Sequence, residues 1–361
     1  MPVRRRTISI FLALALGMSS AAALAQHAKP TQPTGATPLV LPNSGPVGVS
    51  DPSITVGPDG RTWLAYTMMV PAAPVVGLET RLAYLAPDGQ AWHDMGLINK
   101  TAGAEATRSS SAHETPRLLF DPYGASGEQW LLFWYHYKRS GEKPEFDRGW
   151  VALRTAPDPA PEKWSAERKL FVGSRYNRDE DSVIGPPEVD VHTLHPDLAD
   201  CALPGEVGAL ATKDALYVSL YCASKDPAKA RVVLLRRPRA QPRWQYIGTL
   251  FDGADAKALG YRSFTATELA EQGGKRYLLL SPEKNFIYQG CAAFEIADLD
   301  HASLVRQQGR PAIKVRIEAK QGSFRGACTY DGHSSLGLLY AEYFATPPIS
   351  RIFASRVRLP D

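Results

Sequence analysis

Asp51-Pro52-Ser53-Ile54, followed by the run Trp63-Leu64-Ala65-Tyr66, is the stretch on which the reading of this chain turns. The first half is a turn-like acidic cluster. The second half has the aromatic and aliphatic content of a short buried strand. The phrase returns as Glu114-Thr115-Pro116-Arg117-Leu118 before Trp130-Leu131-Leu132-Phe133-Trp134-Tyr135. It returns again as Glu206-Val207-Gly208-Ala209-Leu210 before Tyr217-Val218-Ser219-Leu220-Tyr221. Two blurred copies follow: Phe264 to Leu269 before Tyr277-Leu278-Leu279-Leu280, and Cys328 to Asp331 before Leu338-Leu339-Tyr340. A repeat of roughly 60 residues, each unit holding several short strands, marks a β-propeller. The prediction is an all-β, five-bladed β-propeller. Its blades place their first strands around one axis, so residues far apart in sequence share a central pocket.

A second rhythm supports the first. Trp92, Trp164 and Trp244 each follow a polar turn at a similar phase of the first three units, as expected for rings packed between neighbouring blades. Gly and Pro, 29 of each, suit many tight turns and disfavour long helices. Asp51, Glu114, Glu206, Glu268 and Asp331 mark the five units, with one long interval before Glu206. That interval implies an acidic insertion over about Tyr176 to Leu203, expected to lie across a face of the disc and shape a pocket. The last strand, near Arg351 to Leu359, is expected to pair with residues around Val40 to Val49 and close the ring.

Residues 1–25 read as a secretory signal: Arg4-Arg5-Arg6, an apolar Ile8 to Leu16, and Ala23-Leu24-Ala25 before Gln26. Residues 26–40 read as a flexible leader, and 41–361 as one propeller domain. Three of the positive charges behind the formal +4 belong to Arg4, Arg5 and Arg6, so the charge points to no nucleic-acid partner. No later stretch is long and apolar enough for membrane insertion. The expected product is a secreted or periplasmic monomer. Four cysteines in such a chain suggest disulfides. Three pairings are possible, and Cys201–Cys222 with Cys291–Cys328 is favoured, each tying a blade to an adjoining loop.

Ser50-Asp51-Pro52-Ser53-Ile54, Gly57-Pro58-Asp59-Gly60 and Trp63 to Thr67 together resemble the first blade of the five-bladed glycoside hydrolases, the arabinanase, xylosidase and invertase-like enzymes. His113 to Leu118 is similar to their second-blade start, and Gly205 to Leu210 to a later one. The resemblance implies an axial pocket lined by carboxylates. In one branch an Asp like Asp51 is a general base toward water, a Glu from a later blade is the acid, and a second Asp tunes the acid. In the invertase-like branch the corresponding Asp is a nucleophile. Such chemistry needs one carboxyl kept protonated and one ionised. Asp51 carries over directly; the acid does not.

The catalytic candidates are therefore Asp51, Glu114 and Glu206. Substrate-binding candidates are His113, Arg117, Glu188, Glu268, Arg325 and Asp331. In the fourth unit either Thr265 or Glu268 could face the axis. Trp134, Tyr135 and Tyr137 could stack on a sugar or belong to the core. Glu188 and Asp190 with His192 and His195 could form a metal cluster, although a solvated loop is the commoner outcome; no metal and no cofactor is expected. Arg81, Arg117, Arg262 and Arg325 are too scattered to show the carboxylate-gripping cluster of a sialidase. The expected function is an exported glycoside hydrolase-like protein; the alternative is a non-catalytic propeller binding a carbohydrate or another small ligand.

Overall fold

Alternate residues of each second strand belong to different hydrophobic clusters. Leu131, Phe133 and Tyr135 join one, while Trp130, Leu132 and Trp134 join another. Leu216, Val218 and Leu220 part in the same way from Ala215 and Tyr217. Tyr277 and Leu279 part from Leu278 and Leu280. A strand whose two faces are both apolar must be covered on both sides. Here each sheet is covered by the sheet before it and the sheet after it.

The computed structural model describes residues 35–361 apart from 73–74, 90, 102, 105–108, 142, 285–286, 320–323 and 346–347. The signal segment at 1–25 lies outside the described residues. Five antiparallel blades follow in order. Blade one is Gly48–Val56, Thr62–Ala72, Val75–Leu85 and Trp92–Asn99. Blade two is Ser109–Phe120, Trp130–Ser140, Lys143–Ala156 and Arg168–Val172. Blade three is Leu203–Ala211, Ala215–Ala223, Arg231–Pro238 and Gln245–Phe251. Blade four is Ser263–Gln272, Lys275–Lys284, Gly290–Asp298 and Ile313–Glu318. Blade five is Phe324–Thr329, Leu339–Ala345 and Pro348–Ala354.

The ring closes with the N-terminal strand. Thr37 and Pro38 pair antiparallel with Ala354 and Phe353, the Leu39 amide bonds Ile352 O, and Gly48 meets Ser350 in parallel. Pairing thus begins within the stretch read as leader, a few residues earlier than the Val40 to Val49 expected from sequence. The first strands pack in the order one, two, three, four, five and back to one. They form the wall of the axis, and the five apolar clusters fill the five clefts between blades. Trp244 packs edge-on against Phe171 of blade two at 4.9 Å, and Trp164 sits with Leu82 and Ile98 of blade one.

Both favoured disulfides are present. Cys201–Cys222 ties the entry of blade three to its second strand. Cys291–Cys328 does more than tie a blade to a loop: it joins blade four to the inner strand of blade five.

The insertion before Glu206 departs from expectation. It docks on the outer edge of blade two, where Val189 and Asp190 pair in parallel with Phe171 and Val172. Fully buried Val191 and Leu198 anchor it between blades two and three. Its acids are held by arginines: Glu180 by Arg148, Asp190 by Arg178, Glu188 by Arg168 and Asp200 by Arg231. These anchors hold the segment at the rim, away from the axis.

Candidate active site

Every inner strand breaks its ladder at the same level. The breaks fall between Ser50 and Ser53, Glu114 and Arg117, Gly205 and Val207, Thr265 and Glu268, and Gly326 and Thr329. Within each bulge one non-glycine residue has a left-handed backbone: Asp51 (φ 48°), Thr115 (51°), Glu206 (50°), Ala266 (50°) and Ala327 (51°). A bulge re-aims the side chains beside it, and left-handed backbone at a residue with a Cβ is a strain that functional sites carry. In blades one and two proline follows the bulged residue, where no ladder donor is required.

The five bulges surround a chamber of about 30 Å³ lined by Asp51, Thr115, Glu206, Ala266, Glu268 and Ala327. A chamber of this size holds about one water. Toward one face the axis opens into a cavity of about 330 Å³ lined by Asp51, Glu114, Tyr288, Phe324, Tyr343, Met69 and Leu78. Asp51 borders both spaces. Glu114 lines the wide mouth and Glu206 the small chamber.

Below the chamber one side chain seals the axis. Arg117 of blade two reaches all four other blades: Ser53 Oγ, Ala209 O, Glu268 and Leu269 O, and Thr329 Oγ1. Blade three contributes Gly208 at this level. A Cβ there would lie 2.7 Å from Glu268 Cα and 2.4 Å from Ser219 Oγ, so only glycine lets blades three and four approach this closely. Burial pushes the Glu268 carboxyl up, and the adjacent guanidinium pulls it back. Beyond the plug a second cavity of about 320 Å³ opens on the other face, bordered by Asp331 and His333.

Asp51, Glu114 and Glu206 keep some accessible surface within the protein interior. Burial raises the pKa of each carboxyl. Glu114 is pushed up to about 8, first by burial and then by the charges of Asp51 and Glu206; a bond from Tyr137 opposes this. Asp51 is stabilised as the anion by Ser50 Oγ at 3.1 Å and by Thr67. Glu206 accepts the Ala266 amide at 2.7 Å and the Tyr288 hydroxyl at 2.9 Å. Three coupled carboxyls thus sit around one point, with the proton favoured on Glu114 and the charge-stabilising donors on the other two.

Other residues singled out in the sequence lie elsewhere. His113 is on the opposite face of its strand from Glu114, accepting the Trp134 indole N–H at 3.0 Å. Arg117 and Glu268 are axial but spent on each other. Glu188 is on the outer rim with Arg168 at 3.2 Å. Arg325 is buried away from the cavities, bonded to Glu342 at 2.9 Å and lying 4.8 Å over Tyr340. Asp331 belongs to the far mouth, where it accepts the Val56 and His333 amides at 2.8 Å. In blade four Ala266 takes the place corresponding to Asp51, and Glu268 belongs to the layer beneath. Trp134 is core, whereas Tyr137 faces Glu114. Tyr288 carried no signal in the sequence, because its short strand, Ile287–Tyr288, matches no repeated phrase.

Glu188, Asp190, His192 and His195 form no cluster. His113, His136 and Glu167 do come together, with potential ligand atoms within 4.8 Å of one another. The chemistry there disfavours a cation. His113 is engaged by Trp134 and the Lys100 backbone, and His136 Nδ1 by Glu167 at 2.7 Å. Arg154 and Lys138 press on His113, and Lys169, which lies first beside Asp181 and Glu180, also faces Glu167.

No protein-family model matches the sequence, and no curated protein matches it. Solved structures do. A thermostable family-43 glycoside hydrolase superposes with a TM-score of 0.53 at 10% identity, covering 84% of this chain and 88% of that one. An α-L-arabinofuranosidase from Lactobacillus brevis gives 0.53 at 15% identity over 85% and 91%. A GH43_1 enzyme from Xanthomonas citri gives 0.52 at 12% over 88% and 88%. The fold is that of the five-bladed glycoside hydrolases. At these identities the likeness concerns the fold of a divergent chain, and function rests on the site.

Proposed function

We propose that this chain is an exported glycoside hydrolase whose axial carboxyls cleave a glycosidic bond with water as the nucleophile. The observation that carries the reading is the division of three coupled carboxyls between two adjoining spaces that share Asp51 and Thr115. Glu114 opens on the mouth and Asp51 on both spaces, while Glu206 opens on the water-sized chamber.

A sugar entering the mouth meets Glu114, which retains its proton at neutral pH and gives it to the departing glycosidic oxygen. Asp51 takes a proton from a water held in the inner chamber, and that water adds to the anomeric carbon. Glu206, ionised, keeps the proton on Glu114 beforehand and stabilises positive charge as the bond breaks. The sugar leaves with a new hydroxyl, Glu114 as carboxylate and Asp51 protonated; exchange with solvent restores both. The resemblance had implied a later-blade Glu as acid and a second Asp as tuner, with Asp51 as base. Here the environments favour Glu114 of blade two as acid and Glu206 of blade three as tuner.

Export is supported by the N-terminal Arg4 to Ala25 pattern and by the two disulfides. Among the described residues no helix is long and apolar enough to cross a membrane. A monomer remains the expected state. A binding-only propeller is the competing account; it drew its support from the missing fourth-blade acid, and Glu206 supplies a carboxyl at the site without it. The test is a library of aryl and oligosaccharide glycosides offered to the purified chain and to Asp51→Asn. Turnover by the first alone supports hydrolysis. Tight binding with no turnover by either overturns it.

A further inference from the structure

Tyr288 is brought to the axis from the side. Its short strand pairs Glu283 with Tyr288 at the edge of blade four, and the neighbouring Gln289 bridges to Arg325 of blade five. Its ring lies 4.7 Å from Phe324 and borders the mouth, while its hydroxyl donates to Glu206, which lines the inner chamber. The ring fits because residue 326 is glycine. A Cβ there would lie 2.5–2.7 Å from three Tyr288 carbons.

We propose that Tyr288 is a positioning residue that holds the Glu206 carboxylate ionised and turned into the water chamber, and that Gly326 is the seat that makes this possible. The inference rests on the hydrolase reading for its kinetic consequence, although the bond itself stands apart from it. Glu206 Oε1 accepts the phenol and Oε2 the Ala266 amide, so both oxygens are occupied and the carboxylate has one orientation. The phenol keeps its proton, since burial and then the Glu206 charge drive its pKa well above the ordinary value. The other titratable groups facing Glu206 are Asp51 from blade one, Glu114 and Tyr135 from blade two, and Tyr221 on its own blade. None is a cation. Tyr288, the Ala266 amide and the Thr265 hydroxyl are therefore the donors that favour the charge there.

The experiment is a pH titration of side-chain carboxyls by carbon NMR on glutamate-labelled protein, with the Glu206 signal assigned from Glu206→Gln. Tyr288→Phe keeps the ring and removes the donor; Gly326→Ala displaces the ring. In both, Glu206 titrates about one pH unit higher than in the parent chain, and the double variant shifts no further than either alone. With the aryl glycoside turned over in the library screen, the acidic limb of kcat/KM moves up by the same amount while activity recovers at higher pH. A Glu206 titration unchanged in Tyr288→Phe overturns the proposal, as does a loss of rate uniform across pH. If no variant or parent turns over any glycoside, hydrolysis fails and the carboxyl titration still decides the role of Tyr288.

Discussion

Asp51 and Glu206 occupy the same place in two different blades: each is the non-glycine residue of its bulge with left-handed backbone, at φ 48° and 50°. Blades four and five repeat that backbone with alanine and blade two with threonine, so the bulge belongs to the fold and the carboxyls to the candidate site. Each acid also adds to the forces raising the pKa of Glu114.

Removing either acid affects chemistry more than folding. Asp51→Asn and Glu206→Gln are each expected to lower kcat by about 10²–10⁴-fold, with thermal unfolding close to that of the parent chain. Rates on a glycoside found in the library screen, beside calorimetry, check this. Full activity in Asp51→Asn removes it from the mechanism.

Glu114→Gln separates acid from base. Loss of the proton donor matters most for poor leaving groups. The variant is expected to retain near-parent rates on a dinitrophenyl glycoside while losing about 10²–10⁴-fold on an alkyl glycoside. Equal losses on both would assign the proton to another group.

Stability should also report on Glu114. Its folded pKa, pushed up to about 8 by burial, lies above the ordinary value of 4.5. The folded state then binds the proton more tightly than the unfolded chain. That stabilisation is fully present below pH 4.5 and is lost as pH rises through 8. The melting temperature of the parent chain should thus fall more steeply between pH 5 and 8.5 than that of Glu114→Gln, by roughly a few degrees. Parallel curves would show that Glu114 is not held protonated.

The Arg117–Glu268 plug joins five blades through one guanidinium. Arg117→Ala leaves a buried carboxylate without its partner and is expected to cost about 3–5 kcal/mol of stability. Arg117→Met with Glu268→Leu removes both charges and should cost less than the single change. Chemical denaturation of the three proteins measures the difference. A double variant as damaged as Arg117→Ala would make shape, not charge, the reason for the pair.

Much of the architecture can be read along the chain because propeller blades are local. A strand such as Trp130 to Tyr135 must be covered on both faces, and its neighbours in sequence do the covering. Asp51, Glu114 and Glu206 are legible for the same reason, since each begins a blade. The insertion at Tyr176 to Leu203 lies at the rim and not over the face because Val191 and Leu198, two apolar residues among its many acids, anchor it there, a signal weaker in sequence than the acids themselves. His113 and Arg325 looked like site residues because polar groups near a blade start are ambiguous until the pleat decides which face they take.

The amino-acid order alone determined how many blades form and which strands lead them, since period-two apolar runs between turns leave little else for the chain to do. It could not determine which carboxyl keeps its proton. That depends on Tyr288 and Ala266 of blade four reaching Glu206 of blade three, and on Asp51 of blade one facing both other acids. Proton affinity is set by burial and by charges and donors a few ångströms away, and only closure of the ring brings those groups together.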